Sequence, residues 1–183
     1  MPTDDSPLPL LGFAAYSGTG KTTLLRQLIP ILRKRGLRPA LVKHSHHDFD
    51  IDVPGKDSHT LRLAGADQVL VASRHRRALI VETPEQTDDP PLAELVRLID
   101  PARADLVLVE GFRHEAFPKI ELHRPSLGKP LLFPQDPHII AVACDGPLPV
   151  ETRLPVLDLN DPEAIAGFVE DFLRSATPEP VVY

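Results

Sequence analysis

Residues 8 to 36, LPLLGFAAYSGTGKTTLLRQLIPILRKRG, set a buried apolar run, a glycine-bearing turn and an amphipathic repeat in immediate succession. The turn, Ala15 to Thr22, has the spacing G-x-x-x-x-G-K-[ST] of a phosphate-binding loop at every fixed position but the first, where alanine replaces glycine. Gly18 and Gly20 admit backbone angles that a side chain resists, so successive N–H groups can turn inward as an anion nest. A phosphate held there sits at a helix N-terminus, facing unpaired amide donors and the positive end of the dipole. Lys21 supplies a mobile point charge for the β and γ phosphates, and the Thr22 hydroxyl is placed to ligate magnesium. The plain alternative is a glycine turn closing an ordinary strand and helix; the strand before and helix after it favour the phosphate loop.

In the helix that follows, Leu25, Leu28, Ile29 and Leu32 form one apolar face, and Arg26, Arg33, Lys34 and Arg35 lie mostly off it. The basic last turn and Gly36 mark its end. Pro30 removes the bond to the Arg26 carbonyl and predicts a kink or an early stop.

A chain of 183 residues suits a single domain over 1–175 with a tail at 176–183, with room for a small appended arm. Its net charge of -6 disfavours general RNA or DNA binding, which needs a basic surface. No apolar run approaches the ~20 residues of a membrane helix. Residues 1 to 7, MPTDDSP, resemble neither a signal peptide nor a lipidation signal. Cys144 is the single cysteine, so an internal disulfide is excluded and a cytoplasmic location is the simplest expectation.

Pro39 to His44 is expected to form a second, mostly buried strand. It leads into the most unusual stretch of the chain, where His44, His46, His47, Asp48, Asp50 and Asp52 crowd together ahead of Pro54-Gly55. The cluster admits three roles: a metal site of imidazole and carboxylate ligands, a switch or partner loop beside the nucleotide, or a solvated polar loop. Functional residues concentrate on such loops, which favours the second. Asp57 or Ser58 is placed to cap a short helix ending before Gly65. Gln68 to Ala72 and Ala78 to Glu82 suggest two strands joined by a turn carrying Arg74, His75, Arg76 and Arg77, which is more simply a solvated turn than an anion site. PPLAELVRLID predicts a helix with Leu92, Leu95, Val96 and Ile99 on one face.

The second chemical landmark is DLVLVEG, Asp105 to Gly111. Its apolar run reads as a central parallel strand, and Glu110 stands at the C-terminal end, where nucleotide-binding sheets place ligands. Paired with the upstream loop it takes the Walker B position, holding the magnesium ion or its water. Asp105, at the opposite end, is expected to be structural. In PKIELHRPS, Ile120 and Leu122 alternate with polar residues as in an edge strand, and Lys119 is a phosphate or partner contact or an exposed edge charge. Ile139 to Ala143 predicts another buried strand, followed by Cys144, a small buried hydrophobe, and Asp145, which could accept from a guanine ring or simply form an Asp-Gly turn. After a short strand at Val156 to Leu159, Asp161 caps a helix that opens with Pro162 and carries Ile165, Phe168, Val169, Phe172 and Leu173 on its apolar face.

The blocks FAAYSGTGKTTLL, VKHSHHDFDIDVPGKDSHTLRLAGA, ETP, LVLVEGF, IAVACD and LDLND together resemble the MobB family of molybdopterin-guanine dinucleotide biosynthesis adapter proteins, from about Leu10 to Leu173. The histidine–aspartate block is the most specific of them. The resemblance implies a three-layer α/β P-loop NTPase fold, with a mainly parallel sheet and helices on both faces. It also implies a GTP-binding homodimer with weak GTPase activity that assists the molybdenum cofactor guanylyltransferase. Carried onto this chain, Ser17, Gly18, Thr19, Gly20, Lys21, Thr22 and Thr23 bind nucleotide, and Thr22 and Glu110 serve magnesium. The loop from His44 to Asp52 becomes a candidate switch or cofactor-facing surface, with molybdopterin a further candidate ligand. The resemblance also gives the missing glycine at the first loop position a benign reading, since the family commonly lacks glycine there. Guanine preference comes from the family alone, since no N-K-x-D motif is present.

Two other functions share the loop. A metallochaperone GTPase would use the clustered histidines and acids; a small-molecule phosphotransferase would need Arg74 to Arg77 to close over phosphates. The partitioning ATPases carry an extra lysine near the loop's start, where this chain has Tyr16.

Overall fold

Leu106, Val107, Leu108 and Val109 are all buried in the computed structural model, which describes residues 8–45 and 49–176. A strand buried on both faces must have layers above and below it. The elements in chain order are β1 (Leu10–Ala15), α1 (Lys21–Lys34), β2 (Pro39–Lys43), α2 (Asp57–Leu63), β3 (Gln68–Ala72), β4 (Arg77–Val81), α3 (Leu92–Arg97), β5 (Leu106–Glu110), β6 (Lys119–His123), β7 (Ile139–Cys144), β8 (Val156–Asp158) and α4 (Pro162–Ala176). They divide into two units: the described parts of Met1–His44 and Pro91–Tyr183 form one, and those of Ser45–Pro90 the other.

The larger unit is a six-stranded sheet in the order β2-β5-β1-β6-β7-β8, with every neighbouring pair parallel. Alternate residues of β5 feed the two faces. Leu106 and Leu108 join Leu11, Phe13, Leu28, Leu32, Ile165 and Val169 under α1 and α4. Val107 and Val109 join Leu10, Leu92, Val96 and Phe117 on the α3 side. The result is the expected three-layer α/β arrangement. Arg35, just past α1, binds Glu163 at 2.5 Å and Glu170 at 2.6 Å and so pins α4 beside it. Asp161 caps α4 as expected, accepting from the amides of Glu163 and Ala164 at 3.1 and 3.0 Å. Asp105 is structural: it accepts from the Arg38 amide at 2.6 Å and guanidinium at 2.7 Å, tying the entry of β2 to β5. The Arg38 hydrogen bonds hold the Asp105 carboxyl below the ordinary carboxylate range.

Four local expectations change. Helix α1 continues through Pro30 to Lys34; Pro30 and Arg26 are both exposed, so the carbonyl that loses its donor can face water. Strand β2 lies at the sheet edge with only Val42 buried. Strand β6 is not an edge strand but lies between β1 and β7 with all five residues buried. Lys119 is accordingly neither an edge charge nor a ligand contact. It is 1% exposed, donates to the Glu115 carbonyl at 2.6 Å and pairs with Asp136 at 3.0 Å. Lastly, α2 is entered through Lys56 with no side-chain cap, because the Ser58 hydroxyl donates to Asp52 instead, at 3.0 Å.

Glu121, on the same face of β6 as Lys119, accepts the backbone amides of Leu132 and Phe133, each at 2.8 Å. Burial pushes its carboxyl above the ordinary glutamate value, against the pull of those amides and of His123. A raised value means the folded state binds the proton more tightly than the unfolded state, so this group's contribution to stability is full at low pH. It falls as pH rises from the ordinary glutamate value through the raised one. Glu121→Gln keeps the shape but presents an NH2 to one of the two amides. It should cost about 1–3 kcal/mol at low pH and flatten this limb of the stability curve, measured by urea unfolding across pH 4 to 8.

In the smaller unit the two strands the sequence suggests, β3 and β4, pair antiparallel, and Arg74 to Arg77 are exposed at the turn between them and the start of β4. Arg62 of α2 pairs with Asp50 at 2.9 Å and Glu82 at 2.8 Å. The Asp52 amide is the main influence keeping the Asp50 carboxyl low, with Arg62 and His59 adding to it.

Candidate functional site

Because every strand of the large sheet runs the same way, the C-terminal ends of β1, β2, β5, β6 and β7 share one edge, where ligands bind in open α/β sheets. Ala15 ends β1, and the chain passes through Gly18 at φ 83° and Gly20 at φ 101° before α1 begins at Lys21. Both angles lie in the left-handed region that glycine tolerates and larger residues resist. Thr19 is buried, its hydroxyl donating to the Tyr16 carbonyl at 2.8 Å, which closes the loop on itself. Ser17, Gly18, Thr22 and Thr23 are exposed around this turn.

Parallel pairing sets Glu110 of β5 beside Phe13 of β1 on one side and Lys43 of β2 on the other. The Glu110 carboxylate, 13% exposed, lies 3.8 Å from Lys21 Nζ and 3.9 Å from Lys43 Nζ. Lys21 therefore crosses from the loop toward the acid rather than turning away. Beyond Glu110 the chain bends sharply: Gly111 has φ 101°, and a Cβ there would stand 2.6 Å from His44 Cβ. The His44 ring packs on Phe112 with centroids 4.9 Å apart. A threonine hydroxyl on the first turn of α1 and a carboxylate on the adjacent strand end are the hard oxygen donors that suit magnesium.

On the other side of β1, Asp145 follows β7 and is ion-paired with Arg124, which follows β6. Arg124 Nε also donates to the Thr19 carbonyl at 2.7 Å. Arg124 and Lys43 are the two site residues that the sequence did not single out. Their only signal is position, at or just past the end of a strand in a parallel sheet. Cys144 is buried at the end of β7, as a small hydrophobe.

The structure brings Lys21 and Glu110 together, with Thr22 next to Lys21 on the first turn of α1. His46, His47 and Asp48 lie outside the described residues. Asp50 and Asp52 belong to the smaller unit, where they bind Arg62 and Ser58. Among the described residues no group of three or more His, Cys, Asp or Glu side chains is arranged to hold a metal ion. No described helix is long and apolar enough to cross a membrane.

Comparison with known proteins gives a consistent picture. The family model described as Molybdopterin guanine dinucleotide synthesis protein B matches residues 10–145. The chain is 52% identical over 168 residues to the molybdopterin-guanine dinucleotide biosynthesis adapter protein of Escherichia coli K12, covering 91% of this chain and 94% of that one. It is 45% identical over 171 residues to the protein of the same name from Haemophilus influenzae, covering 93% and 92%. Among solved structures, a MobB protein homolog from Bacillus stearothermophilus superposes with TM-score 0.66 at 26% identity over 91% of this chain and 98% of that chain. A molybdopterin-guanine biosynthesis protein B superposes equally, at TM-score 0.66 and 30% identity over 90% and 99%. With the phosphate loop, the acid-ended strand and this breadth of similarity in one chain, the protein belongs to the MobB family.

Proposed function

We propose that this chain is a GTP-binding adapter with weak GTPase activity that works in the cytoplasm in molybdopterin-guanine dinucleotide biosynthesis, assisting the molybdenum cofactor guanylyltransferase. The observation that carries the nucleotide part is the approach of Lys21 to Glu110 at 3.8 Å across the mouth of a loop whose glycines have positive φ. The adapter part rests on the relatives that bear that name. The amides of Gly18 to Thr22 and the α1 dipole take the phosphate charge, and Lys21 exchanges its carboxylate partner for phosphate oxygens. Thr22 and Glu110 would hold magnesium, which neutralises charge between the β and γ phosphates. Hydrolysis is slow in this reading, since the sequence motifs supply no evident catalytic arginine or glutamine. Asp145 is the candidate acceptor for the N1–H and 2-amino donors of guanine in this reading, with one carboxylate oxygen engaged by Arg124.

The chain works as a homodimer in this proposal. Phe49, Ile51, Leu61, Leu63, Leu70 and Leu79 of the smaller unit are each more than half exposed, a density of bare apolar surface that marks association sites.

Equilibrium titration with the magnesium complexes of GTP and ATP tests the proposal. GTP should bind in the micromolar range and at least about tenfold more tightly than ATP, the value of one charge-assisted hydrogen bond. Equal affinity for the two would overturn the guanine assignment. Sedimentation at micromolar concentration should give twice the 20.1 kDa chain mass.

A further inference from the structure

The Arg124 side chain bridges two parts of the site that the proposed function treats separately. Strands β6 and β7 run in register with His123 beside Cys144, so Arg124 and Asp145 leave the sheet as neighbours and form an ion pair. From there the guanidinium reaches back under the phosphate loop. Its Nε donates to the Thr19 carbonyl at 2.7 Å, and a Cβ on Gly20 would stand 3.5 Å from its Nη2. Arg124 thus lies against the Thr19–Gly20 peptide, one peptide before that of Lys21.

A trans peptide points its C=O and N–H in opposite directions, and there are no cis peptides among the described residues. Holding the Thr19 carbonyl on the outer side of the loop therefore turns the Gly20 N–H toward the side away from Arg124, the concave side of a loop with this spacing. A cation on the carbonyl also polarises the peptide and strengthens its N–H as a donor. The positive φ of Gly20 leaves that peptide easily rotated unless something fixes it. Asp145 in turn fixes Arg124: the planar guanidinium presents Nε to the carbonyl and Nη1 to the carboxylate in one rigid fork, an angular relation that an ammonium on a flexible stem does not impose.

We propose that Arg124 is a positioning residue of the anion site, setting the Gly20 amide for phosphate, with Asp145 as its anchor. The inference rests on the nucleotide reading above and deepens it. Asp145 then serves phosphate affinity through Arg124, whatever it does for the base, and the two ends of the nucleotide are linked by one side chain.

The test uses a ligand with no base. Tripolyphosphate and GTP are titrated into the full chain and into Arg124→Gln, Arg124→Lys and Asp145→Asn, with thermal melts to show that each folds. Arg124→Gln should weaken both ligands by about tenfold or more, the scale of a charge-assisted hydrogen bond. Arg124→Lys should recover less than half of that loss on a logarithmic scale. Asp145→Asn should weaken tripolyphosphate as well as GTP, and for tripolyphosphate the Gln/Asn double variant should be no worse than Arg124→Gln alone. In amide spectra, the Gly20 proton should move on adding tripolyphosphate to the parent chain and move less in Arg124→Gln, a change that loss of general stability would not produce.

Unaltered tripolyphosphate affinity in Arg124→Gln, or full recovery by lysine, overturns the positioning role. Asp145→Asn affecting GTP alone overturns the anchor. A parent chain that binds neither ligand overturns the nucleotide reading and this inference together, whereas parent binding with unaltered variants overturns this inference only.

Discussion

Lys21→Ala is expected to lower GTP affinity by about 100-fold or more while leaving the fold intact. An ammonium about 4 Å from a phosphate charge at a partly buried site gains about 4 kcal/mol at an effective dielectric of 20. Giving up water and the Glu110 carboxylate offsets part of that, and about 3 kcal/mol of net loss corresponds to the predicted factor. The fold should survive because Lys21 is only partly buried and Glu110 keeps Lys43 at 3.9 Å. Glu110→Gln provides the contrast. It removes the acid assigned to magnesium but leaves both lysines, so GTP affinity should lose its magnesium dependence more than its absolute strength. Calorimetric titration with and without magnesium separates the two effects. An alanine variant that binds GTP as the parent does would remove the phosphate loop from the function.

Where sequence and structure agree, the residues that agree do so for local reasons. The phosphate loop is legible because its glycines, lysine and threonine are consecutive, and each is needed for a backbone angle or a charge within one turn of chain. The parallel strand ending in Glu110 is legible because an uninterrupted apolar run must be buried on both faces. The acid at its end then has one edge of the sheet to occupy. Asp105 and the Asp161 cap were equally local. Arg124 is not legible in the sequence because its role depends on three strand ends meeting, with Thr19, Arg124 and Asp145 far apart along the chain; no short-range pattern encodes that.

Strand β6 misled for a different reason. Lys119, Ile120, Glu121, Leu122 and His123 alternate as a half-solvated strand should, yet the solvent-like face is supplied by the protein itself. The segment from Leu132 to Asp136 covers it with two amides and a carboxylate. Alternation reports that one face is polar; it does not report whether water or another segment satisfies it. The same limit applies to β2, whose apolar residues predicted burial although only β5 lies beside it.

That covering makes Lys119 a position where a single substitution should cost the fold heavily. Its ammonium is enclosed with the Glu115 carbonyl at 2.6 Å, Asp136 at 3.0 Å and the Phe117 ring centroid at 4.8 Å. Lys119→Met preserves most of the volume and the stem packing but leaves the carbonyl without this donor and the carboxylate without its cation. Removing one partner of a buried pair typically costs about 3–5 kcal/mol; Asp136 is 22% exposed and can regain some water, which places the expected loss near the lower figure. For a chain of this length about 3 kcal/mol lowers the melting temperature by about 6–12 °C. The matched variant Lys119→Met with Asp136→Leu should recover part of the loss, because replacing both members of a buried pair by apolar groups avoids the stranded charge. If Lys119→Met melts within about 2 °C of the parent, a shift worth less than about 1 kcal/mol, the ion pair is not what holds the loop over β6. The stability of that strand would then have to come from Ile120 and Leu122 on its other face alone.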